Sequence, residues 1–164
     1  MSIIGRDADR LKLAYDEISK ACRDRANQKI ECLSLDVSRD MLQVQQSLQE
    51  LEERLGTCYM LVNSAGYSVC GKVEDTAELN LRRLLEINLA GTFFCTKAVV
   101  PSMKIARQGK IVLVGSQASL LGETPLVIII TFLPLLPELT ATLHSLACSW
   151  PKTRGIRCYG PIVS

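Results

Sequence analysis

The sequence predicts an α/β protein built on a parallel, doubly wound sheet. Short apolar runs that read as buried strands recur at Lys29–Leu35, Cys58–Val62 and Lys110–Gly115. The stretches between them carry apolar residues at helical spacing and are long enough for crossover connections. Strand and helix therefore alternate, which places the strands side by side in one direction.

The elements follow in order. Asp7 and Asp9 open a helix whose Leu11, Ala14, Tyr15, Ile18, Ala21 and Cys22 share one face. Lys29–Leu35 is a strand through Ile30, Cys32, Leu33 and Leu35, and it ends at Asp36-Val37. Ser38 is placed to cap a second helix with Met41, Val44, Leu48, Leu51 and Leu55 as its buried stripe and Gly56 as its stop. Cys58–Val62 is the next strand. Thr76 opens a helix carrying Leu81, Leu84 and Leu85, and a further helix runs from about Asn88 to Met103. Lys110–Gly115 is another strand, and no internal repeat or low-complexity segment is present.

Composition shifts near Glu123. Of 19 basic and 17 acidic side chains, all but Glu138, Lys152, Arg154 and Arg157 lie within residues 1–123, while five of the six prolines lie beyond them. Prolines that dense interrupt helices repeatedly. We therefore expect a partial nucleotide-binding-type α/β domain over 1–123 and a divergent, hydrophobic, proline-rich tail over 124–164 that is not an independent domain.

Several function classes fall away. A net charge of +2 with no basic stripe and no interleaved aromatics argues against nucleic acid. Seven cysteines without a Cys-x-x-Cys pair, beside a single histidine, argue against a metal site and for buried free thiols in a reducing compartment. The first residues are too short and polar for a signal peptide. The apolar stretch Leu126–Leu136 holds Pro134 and falls short of the ~20 residues that span a bilayer. No membrane anchor is expected from these segments, and composition alone points to the cytoplasm.

In a doubly wound sheet, ligands bind beyond the carboxyl ends of the strands. Arg6 follows the first apolar pair, where it is either a partner for an adenosine 2′-phosphate or a solvated helix-start arginine. Asp36 ends the next strand, as a ligand contact or as a turn residue. Asn63-Ser64-Ala65-Gly66 is more specific, because small and polar residues directly after a buried strand let a ligand approach the backbone. Asn88 is a polar residue in the apolar run Leu84-Leu85-x-Ile87-Asn88-Leu89 and must satisfy its amide or cost about 1–3 kcal/mol. Ser116 ends the strand at Gly115, either as a cap or as a reactive group.

Taken together, Leu35-Asp36-Val37, Asn63–Gly66, Ile87-Asn88-x-x-Gly91 and Ile111–Ser116 resemble the successive motifs of the short-chain dehydrogenase/reductase family over residues 3–122. Within it, the loops Gly66–Asp75 and Gly115–Gly122 look most like those of the 3-ketodihydrosphingosine reductases. The resemblance implies a Rossmann-type fold that uses NADPH to reduce a long-chain sphingoid ketone at the cytosolic face of the endoplasmic reticulum membrane. It places Arg6 at the 2′-phosphate, Asp36 and Val37 along the adenine, and Asn63, Ala65 and Gly66 in support of sheet and cofactor. It gives Asn88 a water in the proton relay and Ser116 the substrate carbonyl.

The pattern departs from that family twice. Its proton-donating tyrosine and the lysine four residues on fall at Ile129 and Leu133, which can neither give a proton nor supply a charge. Only Lys152 and Tyr159 offer those groups in the tail, in the reverse order. The Thr-Gly-x-x-x-Gly-x-Gly turn that cradles a pyrophosphate, with its strand, is also missing, so the sheet is expected to be incomplete. Two readings follow: an incomplete, inactive product of a reductase gene, or a non-catalytic partner that pairs with itself or with a full-length relative.

Overall fold

A computed structural model of the protein describes residues 1–22, 28–69, 71–115 and the backbone of 156–163. Strand β1 (Ser2–Gly5) leads into helix α1 (Ala8–Ala21), whose first turn is closed by the Asp7 carboxylate accepting from the N–H groups of Asp9 and Arg10. Strand β2 (Glu31–Ser34) pairs parallel with β1, Ser2 opposite Glu31. Helix α2 (Met41–Leu55) buries Val44, Leu48 and Leu51 from the expected stripe and stops at Gly56, whose φ of 87° favours glycine. Its cap is Asp40, not Ser38. Asp40 Oδ1 accepts from the N–H groups of Leu42 and Gln43, while Ser38 is held by Asp36.

Strand β3 (Met60–Asn63) is followed by a short 3-10 turn at Val73–Asp75 and then by α3 (Glu78–Leu84), a π-turn (Leu85–Ala90) and α4 (Gly91–Ala106). These last three form one continuous helix, Glu78–Ala106, where the sequence predicts two. Thr76 does not cap it; its hydroxyl donates to the Lys72 carbonyl instead. By length and composition this helix is apolar enough to cross a membrane, yet Cys95, Val99 and Met103 lie buried in the core, as in a core helix.

Strand β4 (Gly109–Gly115) pairs parallel with β3 and, on its other side, with β5 (Ile156–Val163). The apolar, proline-rich composition after Glu123 concealed that strand. Tyr159 stands opposite Val112 and Ile162 opposite Val114, so Gly160 and Pro161 together face the single residue Leu113. Pro161, which has no N–H to offer a ladder, thus falls in a bulge.

Among the described residues every strand pairing is parallel, as the alternation predicts, but the strands form two sheets, β1-β2 and β3-β4-β5. One apolar layer joins them. Val44, Leu48 and Leu51 of α2 and Cys95, Val99 and Met103 of α4 enclose Ile111 and Leu113 of β4, with Ile4, Leu33 and Leu61 packed against the same cluster. Helix α1 lies on the opposite face of β1-β2, where the Cys32 thiol meets the Leu11 carbonyl. At the far end of the layer Glu52 Oε1 accepts from the Cys58 N–H at 2.8 Å and the Ser102 hydroxyl at 2.6 Å, tying α2, the start of β3 and α4. Glu31 does the same for β2 and α2, pairing with Lys29 and Arg54.

The thiols among the described residues are free, but not all buried as expected: Cys95 is buried, Cys22 and Cys58 are half-buried and Cys32 is exposed. Burial, with the Glu52 carboxylate for Cys58, pushes the Cys58 and Cys95 thiols up to about 11, which keeps both protonated and unreactive at neutral pH.

The turn from α4 into β4 leaves no room for a side chain. A Cβ on Gly109 would stand 2.5 Å from Met103 Sδ and 2.8 Å from its Cγ, and Met103 is fully buried. Gly109→Ala therefore overpacks the core, and we expect a loss of about 1–3 kcal/mol in urea unfolding, with Met103→Ala in the same chain relieving the clash but leaving a cavity.

Candidate functional site

The carboxyl ends of β1, β2 and β3 set Arg6, Asp36-Val37 and Asn63–Gly66 along one edge. Each has a distinct anchor. Asp36 Oδ1 accepts from the Ser38 N–H at 3.1 Å and the Ser38 hydroxyl at 2.6 Å. Its Oδ2 faces Arg39 Nε at 3.3 Å and Arg6 Nη1 at 4.0 Å. Burial pushes this carboxyl up, but the Ser38 hydroxyl and N–H and the two guanidinium groups outweigh it and hold Asp36 below its ordinary value.

Val37 is fixed from the other side by the start of α4. A Cβ on Gly91 would stand 3.0 Å from Val37 Cγ2 and 3.4 Å from the Val37 carbonyl oxygen, so the glycine is what lets the helix come this close. Asn63 Nδ2 donates to Thr96 Oγ1 at 3.3 Å, on a threonine only 2% exposed. Ala65 and Gly66 are exposed, and Gly66 has a negative φ with only ordinary contact in its vicinity. No backbone strain demands glycine at 66.

Asn88 sits in the π-turn and satisfies its amide on one residue. Its Oδ1 accepts from the Tyr67 N–H at 2.7 Å and its Nδ2 donates to the Tyr67 carbonyl at 2.8 Å. Its own carbonyl accepts from the Thr92 hydroxyl at 2.7 Å. The extra residue of a π-turn rotates this side chain toward the loop after β3 instead of along the apolar face.

Three strand-end segments thus converge on the π-turn and the first turns of α4: Asp36-Val37 through Gly91, Asn63 through Thr96, and the 64–69 loop through Asn88. The polar-in-apolar signal that singles out Asn88 applies equally to Thr96, which sequence reasoning passed over. Arg39 and Tyr67 carried no signal, since one is an exposed turn residue and the other acts through its backbone. Ser116, Ile129, Leu133 and Lys152 lie outside the described residues. Among the described residues no group of His, Cys, Asp and Glu could hold a metal ion.

Comparison with known proteins agrees with this geometry. The short chain dehydrogenase family model matches residues 1–127. The chain is 40% identical over 123 residues to the 3-ketodihydrosphingosine reductase of Bos taurus and 37% identical over 123 residues to the 3-dehydrosphinganine reductase of Danio rerio. Both alignments cover 74% of this chain, and the chain spans 36% of each relative. Its fold superposes on an NAD+-bound xylitol dehydrogenase with a TM-score of 0.81 at 22% identity, covering 95% of this chain and 56% of that one.

Two outcomes follow from the geometry. Asn88→Ala leaves the Tyr67 N–H and carbonyl without partners and should cost about 1–3 kcal/mol, with faster hydrogen exchange at the Tyr67 amide as the local signature. Asp36, with its folded value depressed, contributes stability that is present above the unfolded carboxyl value of about 3.9 and is lost as pH falls through the lower folded one. Urea midpoints of the wild-type chain and Asp36→Asn should differ by a constant amount above about pH 5 and converge in stronger acid. A gap that widens in acid would show the opposite sign.

Proposed function

Because this chain belongs to the short chain dehydrogenase family, we propose that it derives from an NADPH-dependent reductase of long-chain sphingoid ketones. The observation that carries the substrate class is the 40% identity with bovine 3-ketodihydrosphingosine reductase over 123 residues. The whole reaction would be hydride transfer to the keto carbon, with a tyrosine protonating the oxygen, at the cytosolic face of the endoplasmic reticulum membrane.

The residues present fit one end of the cofactor. Arg6, Asp36 and Val37 form a charged and apolar ledge at the ends of β1 and β2, suited to an adenosine and its 2′-phosphate. Asn63, Ala65 and Gly66 continue that edge with small side chains and accessible backbone. Bound NADPH would supply the hydride; the chain's own part here is to bind and orient. Asn88 positions the loop after β3 through Tyr67, and its relay role, like that of Ser116 toward the carbonyl, belongs to the complete reaction.

This sequence holds neither a Thr-Gly-x-x-x-Gly-x-Gly turn nor any tyrosine followed four residues later by lysine. A phenol with an ordinary pKa near 10 needs a neighbouring cation to work at neutral pH. The first gap removes the pyrophosphate cradle and the second the proton donor, so we read this chain as one without turnover whose remaining cofactor contacts lie at the adenosine end. The separate pairing of β1-β2 and β3-β4-β5 favours a second role beside it, association with a full-length relative through an open strand edge.

The purified chain, mixed with NADPH and 3-ketodihydrosphingosine, should show no loss of nicotinamide absorbance above the blank, while a complete relative co-expressed with it should co-purify. Steady NADPH oxidation would overturn the inactive reading, and failure to co-purify would remove the association.

A further inference from the structure

Arg39 lies outside the motifs that carry the family resemblance, yet it makes the shorter of the two guanidinium contacts on Asp36. The geometry gives it a task. Asp36 Oδ1 is taken up by Ser38, so both arginines meet at the single oxygen Oδ2, Arg39 at 3.3 Å and Arg6 at 4.0 Å. Two guanidinium groups gathered round one carboxylate oxygen stand close to each other and leave a net positive charge. Their side chains are 82% and 58% exposed, so both fan out over the edge where β1 and β2 end.

Such exposed ion pairs hold their partners weakly. Swinging a guanidinium from Asp36 onto a phosphate would sacrifice little, and a dianionic phosphomonoester accepts several N–H donors at once. The turn that carries Arg39 is itself stiffened: Ser38 is bonded to Asp36, Val37 is pinned by Gly91 and Asp40 is committed to α2. Arg39 therefore projects from a fixed base beside the adenosine ledge.

We infer that Arg39 is the second guanidinium of a phosphate clamp, acting with Arg6 to select an adenosine nucleotide that bears a 2′-phosphate. The inference rests on the NADPH reading above and names a specificity residue that reading does not use. Asp36 serves as the clamp's counter-ion, gathering the two arginines before the phosphate arrives.

The test uses 2′,5′-ADP and 5′-AMP, which differ only by the 2′-phosphate and need no nicotinamide, titrated into the full chain by calorimetry. The wild-type chain should prefer 2′,5′-ADP by about tenfold or more, as charge-assisted hydrogen bonds imply. Arg39→Gln and Arg6→Gln should each reduce that ratio severalfold, and Arg39→Gln should do so while leaving 5′-AMP affinity unchanged, a pattern that a merely structural defect would not produce. Arg39→Lys, which keeps the charge without the fork, should fall between and guards against misfolding of the glutamine variant. If Arg39→Gln and Arg39→Lys keep the wild-type ratio while Arg6→Gln loses it, the clamp is overturned and the NADPH reading stands. If the wild-type chain shows no preference, or binds neither nucleotide, both fall together.

Discussion

The structure depends on one apolar layer shared by two sheets that, among the described residues, have no ladder between them. In a continuous sheet, the ladder itself sets the spacing of neighbouring strands. Here β1-β2 and β3-β4-β5 are kept in register by side chains alone, through Val44, Leu48 and Leu51 of α2 and Cys95, Val99 and Met103 of α4. Such packing is close and intolerant of volume changes, which is why Gly109 and Met103 have no slack between them. The polar ties at Glu52 and Glu31 lie at the opposite end from the candidate site, fastening α2 to the strands it must align.

That arrangement gives α4 a double duty. Its later turns fill the core, and its first turns receive the strand ends. Gly91 meets Val37, Thr96 meets Asn63, and Asn88, four residues before Thr92, reaches back to Tyr67. A regular α-helix would carry Asn88 along the apolar stripe with Leu84 and Ile87, where its amide would be unsatisfied. The π-turn at Leu85–Ala90 resolves the conflict between a helix that must be buried and a polar group that must find backbone partners.

The same conflict marks what could be read in the sequence. The α2 stripe was legible because fifteen residues of clean 3.6-residue period leave one answer. The helix from Glu78 to Ala106 reads as two in the sequence because a polar residue in an apolar run looks like a boundary, and nothing local distinguishes a boundary from a π-turn. Ser38 and Asp40 are both good caps two residues apart; only the tertiary demand of Asp36 on Ser38 leaves Asp40 free for the helix. Strand β5 was hidden by its own bulge, since Pro161 and Gly160 break the alternation that would have announced it. Of the candidate site, the strand-end positions were legible from their place in the α/β pattern, whereas Arg39, Tyr67 and Thr96 enter through contacts that only the folded chain makes.

The open edges of β1 and β3 bear on function as well as on stability. Both strands pack on the same helical layer and run toward the same edge, and their ends carry Arg6 and Asn63. Their relative position is the distance across which a bound nucleotide would be held. With no ladder between them among the described residues, that distance is set by Ile4 and Leu61 on the common core and by the contacts of Val37 and Asn63 with α4. A strand added between them would replace this side-chain control with hydrogen bonds and stiffen the site. Pairing at those edges would therefore bear on the nucleotide binding proposed at their ends.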